Sequence, residues 1–171
     1  MDIISKFTVG SEEGISDLIT IIDSSTYSLH KDFVSEDKIQ NYIKNEIDPR
    51  KMINDLNDLS NQLIMTYADQ RPVGYSILRS GSIYSGLPDG KRATEISFVI
   101  LPEFDTQEIR QSLWKKSRSA ASFTDIIWIN MLAHDPLFDF FKESGFTVAI
   151  DSQAGPFQLP SHILTLEINK S

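Results

Sequence analysis

Residues 99–116, VILPEFDTQEIRQSLWKK, decide how this chain is read. They pass from an apolar strand end, through a short polar loop, into an amphipathic helix with Ile109 and Leu113 on its inner side. A strand that runs straight into a helix start presents unpaired N–H groups and the positive end of the helix dipole. That suits an anion. Yet the loop contains no glycine and carries Asp105 and Glu108. It has the outline of a phosphate cradle whose yielding, neutral residues have been replaced.

The strand feeding this loop is Arg92 to Leu101, with Thr94, Ile96, Phe98 and Ile100 on one face. Upstream, residues 80–91 carry Gly81, Gly86, Pro88 and Gly90 and read as an exposed loop. Leu63 to Ala68 and Val73 to Leu78 form a hairpin with Asp69, Gln70, Arg71 and Pro72 between them. Ile3 to Val9 is a first strand. Ser11 caps a helix whose stripe is Ile15, Leu18, Ile19 and Ile22. Ser35 caps another with Ile39, Tyr42 and Ile43 inside, broken at Asp48-Pro49. Met52, Ile53, Leu56 and Leu59 then resume helical spacing.

Downstream, the helix of the opening stretch carries Ile109, Leu113 and Ala120 or Ala121 on its inner side. Asp125 to Leu132 is a strand apolar on both faces, hence central. Asp135-Pro136 starts a helix with Leu137, Phe138 and Phe141 inside, and Gly145 ends it. Thr147 to Ile150 and His162 to Ile168 are two closing strands around a loop at 152–161. The order is strand, two helices, three strands, helix, strand, helix, two strands. It predicts one α/β domain with a mixed sheet over residues 1–171.

Composition narrows the function classes. The 171 residues are 40% hydrophobic and 23% charged, ordinary for a globular domain, and the net charge is −8. An acidic surface disfavours nucleic acid and anionic membranes, and is compatible with an amine-bearing small substrate. The absence of cysteine excludes disulfides, thiolate metal sites and a cysteine nucleophile, and suits a reducing cytoplasm. The start, Met1-Asp2-Ile3-Ile4-Ser5-Lys6, lacks the basic and apolar regions of a signal peptide. His30, His134 and His162 lie far apart and show no paired ligand spacing, so no metal site is expected. The chain has no G-x-S-x-G, no Walker loop and no G-x-G-x-x-G after a strand.

This order, at this length, resembles the GNAT superfamily of acetyl-CoA-dependent N-acetyltransferases. The family's cofactor segment, V-x-P-x-Y-R-G-x-G-I-G-x-x-L-L, lies without gaps on Ile100 to Arg110 and ends in Leu113-Trp114. Pro102, Phe104, Gln107, Ile109 and Leu113 fit; the arginine has become Asp105, and the three glycines Thr106, Glu108 and Arg110. The family's Y-x-x-x-G-F reads Phe141-Lys142-Glu143-Ser144-Gly145-Phe146, and the asparagine often found upstream falls on His134.

The resemblance implies a three-layer α/β fold, a mixed, mostly antiparallel sheet flanked by helices. It implies acetyl-CoA as acyl donor and a small-molecule or peptide amine as acceptor. Main-chain groups of Phe98, Val99 and Ile100 would hold the pantetheine as an added strand does. The loop Phe104, Asp105, Thr106, Gln107, Glu108, Ile109 and Arg110 would receive the diphosphate. Asp105 and Glu108 oppose that phosphate: at about 4 Å and an effective dielectric near 20, each unit-charge pair costs up to roughly 4 kcal/mol. Arg110 either reaches back to a phosphate or joins Lys115, Lys116 and Arg118 on a solvated helix face.

Candidate bases are Glu95, on the strand that lines the family's acyl site, Glu103, and His134, just after the central strand. Glu95 points either into a cleft or out to solvent; His134 is either a base or a polar strand terminus. Glu103 matches a position often acidic without catalytic duty. The family's tyrosine, which serves the leaving thiolate, is here Phe141, a core aromatic; other hydroxyls are Tyr67, Tyr75 and Tyr84. These departures motivate a rival reading, a non-enzymatic binding or regulatory module on the same fold. A third is another α/β ligand-binding fold with a different strand order. The sequence leaves monomer and homodimer open.

Overall fold

The computed structural model describes residues 1–168. Its elements run β1 (Ile3–Thr8), α1 (Glu12–His30), α2 (Glu36–Glu46), α3 (Pro49–Leu56), β2 (Asn61–Ala68), β3 (Arg71–Ser80), β4 (Ala93–Ile100), α4 (Gln107–Ala120), β5 (Ile126–Leu132), α5 (Phe138–Glu143), β6 (Thr147–Ala154) and β7 (Leu159–Glu167). A short 3-10 turn, Pro102–Phe104, follows β4. The strands form one sheet in the order β1-β2-β3-β4-β5-β7-β6. The β4–β5 pair is parallel, whereas β1–β2, β5–β7 and β6–β7 are antiparallel. The sheet is thus mixed, as the resemblance implies.

Several elements differ from the sequence expectation, each for a local reason. Three helices precede β2 where two were expected, because Pro49 opens a helix of its own: Asp48 caps it through the Arg50 amide at 2.9 Å. Leu59 lies beyond that helix and is fully exposed at 100%, so it is no core residue. The first hairpin turns on two residues, not four. Asp69 and Gln70 take φ of 48° and 70°, the left-handed pair that matches strand twist, so Arg71 and Pro72 already belong to β3. In α1 the innermost side chain is Ile21, 0% exposed, while Ile19 and Ile22 lie at the flank of the stripe. At the other end α5 begins at Phe138, because Asp135 caps an isolated turn through the Leu137 amide at 2.9 Å. The loop at 152–161 shrinks to a turn between β6 and β7, and both strands are longer than expected.

The chain divides into two compact units. The first comprises Met1–Leu78 and Phe98–Ala120; the second comprises Arg79–Ser97 and the residues from Ala121 onward. In the first, Ile15, Leu18 and Ile21 of α1 pack with Leu63, Met65, Tyr75, Ile77 and Leu101. The alternate residue Thr66 faces the other way, where Ser5 bridges its hydroxyl and that of Ser112 on α4, both at 2.7 Å. Helices thus cover both faces of this part of the sheet. In the second unit β5 is buried along nearly its whole length and flanked by β4 and β7, as expected of a central strand. Phe141 and Phe146, 0% and 2% exposed, meet edge-on at 5.3 Å. Gly145, at φ 107°, makes the turn between them.

Two substitutions test this packing. Gly14 sits in α1, where alanine normally gains about 1 kcal/mol. Its Cβ, however, would lie 2.7 Å from the Val9 carbonyl oxygen and 2.8 Å from Thr8 Cγ2. Overpacking costs about 1–3 kcal/mol, so Gly14→Ala is expected to lower stability in urea unfolding. On β4, Thr94 is 0% exposed and its hydroxyl has no hydrogen-bond partner among the described residues. Thr94→Val should therefore leave stability unchanged or raise it by about 1 kcal/mol in the same measurement.

Candidate functional site

Strand β4 does two jobs through its alternation. Thr94, Ile96, Phe98 and Ile100 are all buried, as the sequence pattern requires. The intervening residues Glu95, Ser97 and Val99 are half-buried on the opposite face. The parallel register with β5 pairs Ala93 with Ile126, Thr94 with Ile127 and Glu95 with Trp128, and stops there. Strand β4 continues to Ile100. In the first unit its end is tied to β3: the Leu101 amide donates to the Val73 carbonyl at 2.9 Å. Gly74 lies so close that a Cβ there would sit 2.9 Å from the Val99 carbonyl oxygen. A glycine is required at that point by proximity, not by dihedral.

The outgoing loop satisfies itself. The Phe104 amide donates to Leu101, that of Asp105 to Pro102 and that of Thr106 to Phe104, at 2.9, 3.3 and 2.9 Å. Thr106 then caps α4: its hydroxyl accepts the Ile109 amide at 3.4 Å and its carbonyl accepts the Arg110 amide at 3.0 Å. The amides of Gln107 and Glu108 lead the helix and have no intrahelical acceptor by geometry. Among the described residues only Asp69, Gln70 and Gln158 combine a side chain with positive φ. No residue of the loop needs glycine's dihedral freedom, so Thr106, Glu108 and Arg110 stand there without backbone strain.

The loop's charges are likewise arranged internally. Arg110 Nε donates to Asp105 Oδ1 at 2.5 Å and its Nη2 to Oδ2 at 2.9 Å, a bidentate pair with side chains 25% and 12% exposed. Arg110 is thus engaged with Asp105, the acid that stands where the resemblance has arginine, and its charge offsets the repulsion that Asp105 alone would exert on a phosphate. Glu108 remains exposed in the first turn. Phe104 packs at the edge of the α1 core, with the Arg71 guanidinium 5.0 Å from its ring centroid.

Of the candidate bases, Glu95 is half-buried and accepts a hydrogen bond from the Ser82 hydroxyl at 2.8 Å. The Trp128 indole in turn donates to the Ser82 carbonyl at 2.9 Å. Neither contact was visible in the sequence, since residue 82 lies in a loop 13 positions upstream. His134 occupies the turn after β5. Glu95 is level with Trp128, and β5 runs four residues further to Leu132, roughly 13 Å at strand rise. The two candidates do not converge on one proton.

Of the phenols, Tyr67 has another hydrogen-bond partner and the ring of Tyr84 packs on Trp128. Tyr67 donates to Asp17 Oδ2 at 2.9 Å, and burial, aided by this bond and by the Asp17 and Glu13 charges, pushes its pKa up to about 12. Tyr84 is raised by burial and by Glu167, while its ring packs against Trp128 at 5.4 Å. Phe141 is core, as its sequence position implied.

The Asp105–Arg110 pair is testable by a double-mutant cycle. Asp105→Ala leaves a half-buried guanidinium without its carboxylate and should cost about 1–3 kcal/mol in denaturant unfolding. Adding Arg110→Ala should cost much less than a second full increment, giving a coupling of at least about 0.5 kcal/mol. Strict additivity would mean that the pair contributes nothing.

No protein-family model and no curated protein sequence matches the chain. Solved structures do. The PaiA N-acetyltransferase of Thermoplasma acidophilum, in complex with coenzyme A, is 16% identical with a TM-score of 0.75, covering 98% of this chain and 99% of its own. YncA of Salmonella typhimurium, a putative acetyltransferase with acetyl-CoA, is 12% identical at TM-score 0.71, over 100% and 96%. The aminoglycoside N(6′)-acetyltransferase of Legionella pneumophila is 18% identical at TM-score 0.67, over 98% and 94%. At such identities the likeness is one of architecture, and it spans the chain from end to end. This protein has the fold of the GNAT N-acetyltransferases.

Proposed function

We propose that this protein is an acyl-CoA-dependent N-acyltransferase that moves acetyl from acetyl-CoA to a small-molecule or peptide amine. The observation that carries the reading is β4. It pairs with β5 only as far as Glu95, then continues through Phe98, Val99 and Ile100 into a loop and the start of a 14-residue helix. Main-chain groups of those three residues would bind the pantetheine as a strand does, and the leading amides of α4 would face the diphosphate. The fold neighbours solved with CoA or acetyl-CoA support the same donor. A net charge of −8 favours a cationic acceptor.

In the reaction the amine nitrogen forms a bond to the acetyl carbonyl carbon and the carbon–sulfur bond breaks. Glu95 takes the amine's proton, directly or through one water. The thiolate leaves with the electron pair and is protonated by solvent. Phe141 has no proton to give, and Tyr67, bonded to Asp17 with its pKa pushed up to about 12, is a poor donor to a thiolate.

The loop favours a second reading, a GNAT-fold module that no longer turns over. Thr106 takes the Ile109 amide and Asp105 takes Arg110, so two groups that an anion would use are already engaged.

Calorimetric titration with CoA and acetyl-CoA separates the two. Binding at micromolar to millimolar ligand, with thiol release in the presence of kanamycin, 1,4-diaminobutane or a tripeptide with a free N-terminus, supports the enzyme. Glu95→Gln should then lower kcat about 100-fold or more. No binding at millimolar ligand refutes both donor and activity. The triple change Asp105→Arg, Thr106→Gly and Glu108→Gly should tighten CoA binding about tenfold or more, since it removes two anions and a competing cap. Unchanged affinity would show that the diphosphate does not meet this loop.

A further inference from the structure

The residues around Glu95 form a small closed assembly within the second unit. Ser82 stands at its centre. Its hydroxyl donates to Glu95 Oε1 at 2.8 Å, while its carbonyl accepts from Trp128 Nε1 at 2.9 Å. Trp128 is also the register partner of Glu95 across the β4–β5 ladder. One residue earlier, the Gly81 amide donates to the Ala93 carbonyl at 3.0 Å and roots the loop against β4. Further along, Tyr84 and Leu87 pack on Ala93, Trp128 and Ile163, with the Tyr84 ring 5.4 Å from the indole. The Ser82 carbonyl is thus held by the indole and the preceding amide by β4, while the Ser82 hydroxyl reaches Glu95.

We propose that Ser82 is a positioning residue for Glu95. Its hydroxyl, held in place by Trp128, aims the carboxylate before any substrate arrives. This inference rests on Glu95 being the base. A glutamate side chain has three torsions to order, and a charge-assisted bond to one oxygen orders them in advance. Among the described residues Ser82 is the hydrogen-bond donor to Glu95, and it engages Oε1. In this role the acceptor's proton goes to a carboxylate whose torsions Ser82 has already set. The signal for this role is not in the residue types, since a serine after a glycine in a loop is ordinary. It is the pairing of a main-chain anchor and a side-chain donor in one residue.

The experiment uses Ser82→Ala, Ser82→Thr and Glu95→Gln in the full chain, with acetyl-CoA as donor and the amine probe giving the fastest thiol release. Alanine keeps the carbonyl that Trp128 holds, so indole emission and CoA affinity should stay within about twofold of wild type. With the loop in place but the hydroxyl gone, kcat should fall about 10- to 100-fold at unchanged KM for acetyl-CoA, part of the 10²–10⁴-fold that a positioned base supplies. Threonine restores the hydroxyl and should bring kcat back to within about threefold. Wild-type kcat in Ser82→Ala, a loss shared equally by kcat and CoA affinity, or failure of threonine to restore turnover would each overturn the role of Ser82. Wild-type turnover by Glu95→Gln would instead overturn the reading of the base, and this inference with it.

Discussion

The alternation of β4 is the constraint on which the candidate site depends. Thr94, Ile96, Phe98 and Ile100 are drawn into the core, and burying four such side chains fixes the register of the strand. A slip of one residue would bring Glu95 inward and expose Ile96. The hydrophobic effect therefore determines which face carries the carboxylate, although the carboxylate takes no part in it. The same strand then runs without interruption into the loop and helix that would meet an anion. Glu95 and the residues that lead into the loop and α4 are thus neighbours on one strand of the chain.

The loop shows how an unfavourable sequence becomes a stable structure. Read alone, Asp105 and Glu108 oppose an anion and the missing glycines suggest strain. Folded, the loop has ordinary backbone angles, Thr106 caps the helix, and Arg110 closes on Asp105 with two hydrogen bonds. The charge carried to the loop by one substitution is cancelled by another five residues on. What remains for a ligand is narrower than in a glycine-rich loop: the leading amides of α4, with Glu108 beside them.

Some elements were plain in the sequence because a single local force sets them. Ser11 and Ser35 cap their helices as expected, through the Gly14 amide at 3.3 Å and the Lys38 amide at 3.4 Å. The apolar run at 126–132 became the buried central strand. Where two local signals compete, neighbouring residues alone do not set the boundary. Asp48-Pro49 ends one helix and starts another, and the pair alone does not say how many residues the new helix will hold. Asp135-Pro136 carries the signature of a helix start, yet the helix waits until Phe138. The four polar residues at 69–72 look like one loop, but the left-handed angles at Asp69 and Gln70 complete the reversal in two.

By itself the sequence determined the succession of strands, the inward face of α1 and β4, and the resemblance of the 100–114 segment to a cofactor loop. These follow from periodicity, capping and turn chemistry, which act over a few neighbouring residues. Only the tertiary structure decided that Arg110 belongs to Asp105, that Tyr67 is held by Asp17 50 residues away, and that Ser82 reaches Glu95 under the indole of Trp128 46 residues further on. Such partners are chosen by where packed strands and loops bring side chains within hydrogen-bond range. A short-range pattern cannot encode that distance, because sequence separation is not distance once the sheet has closed.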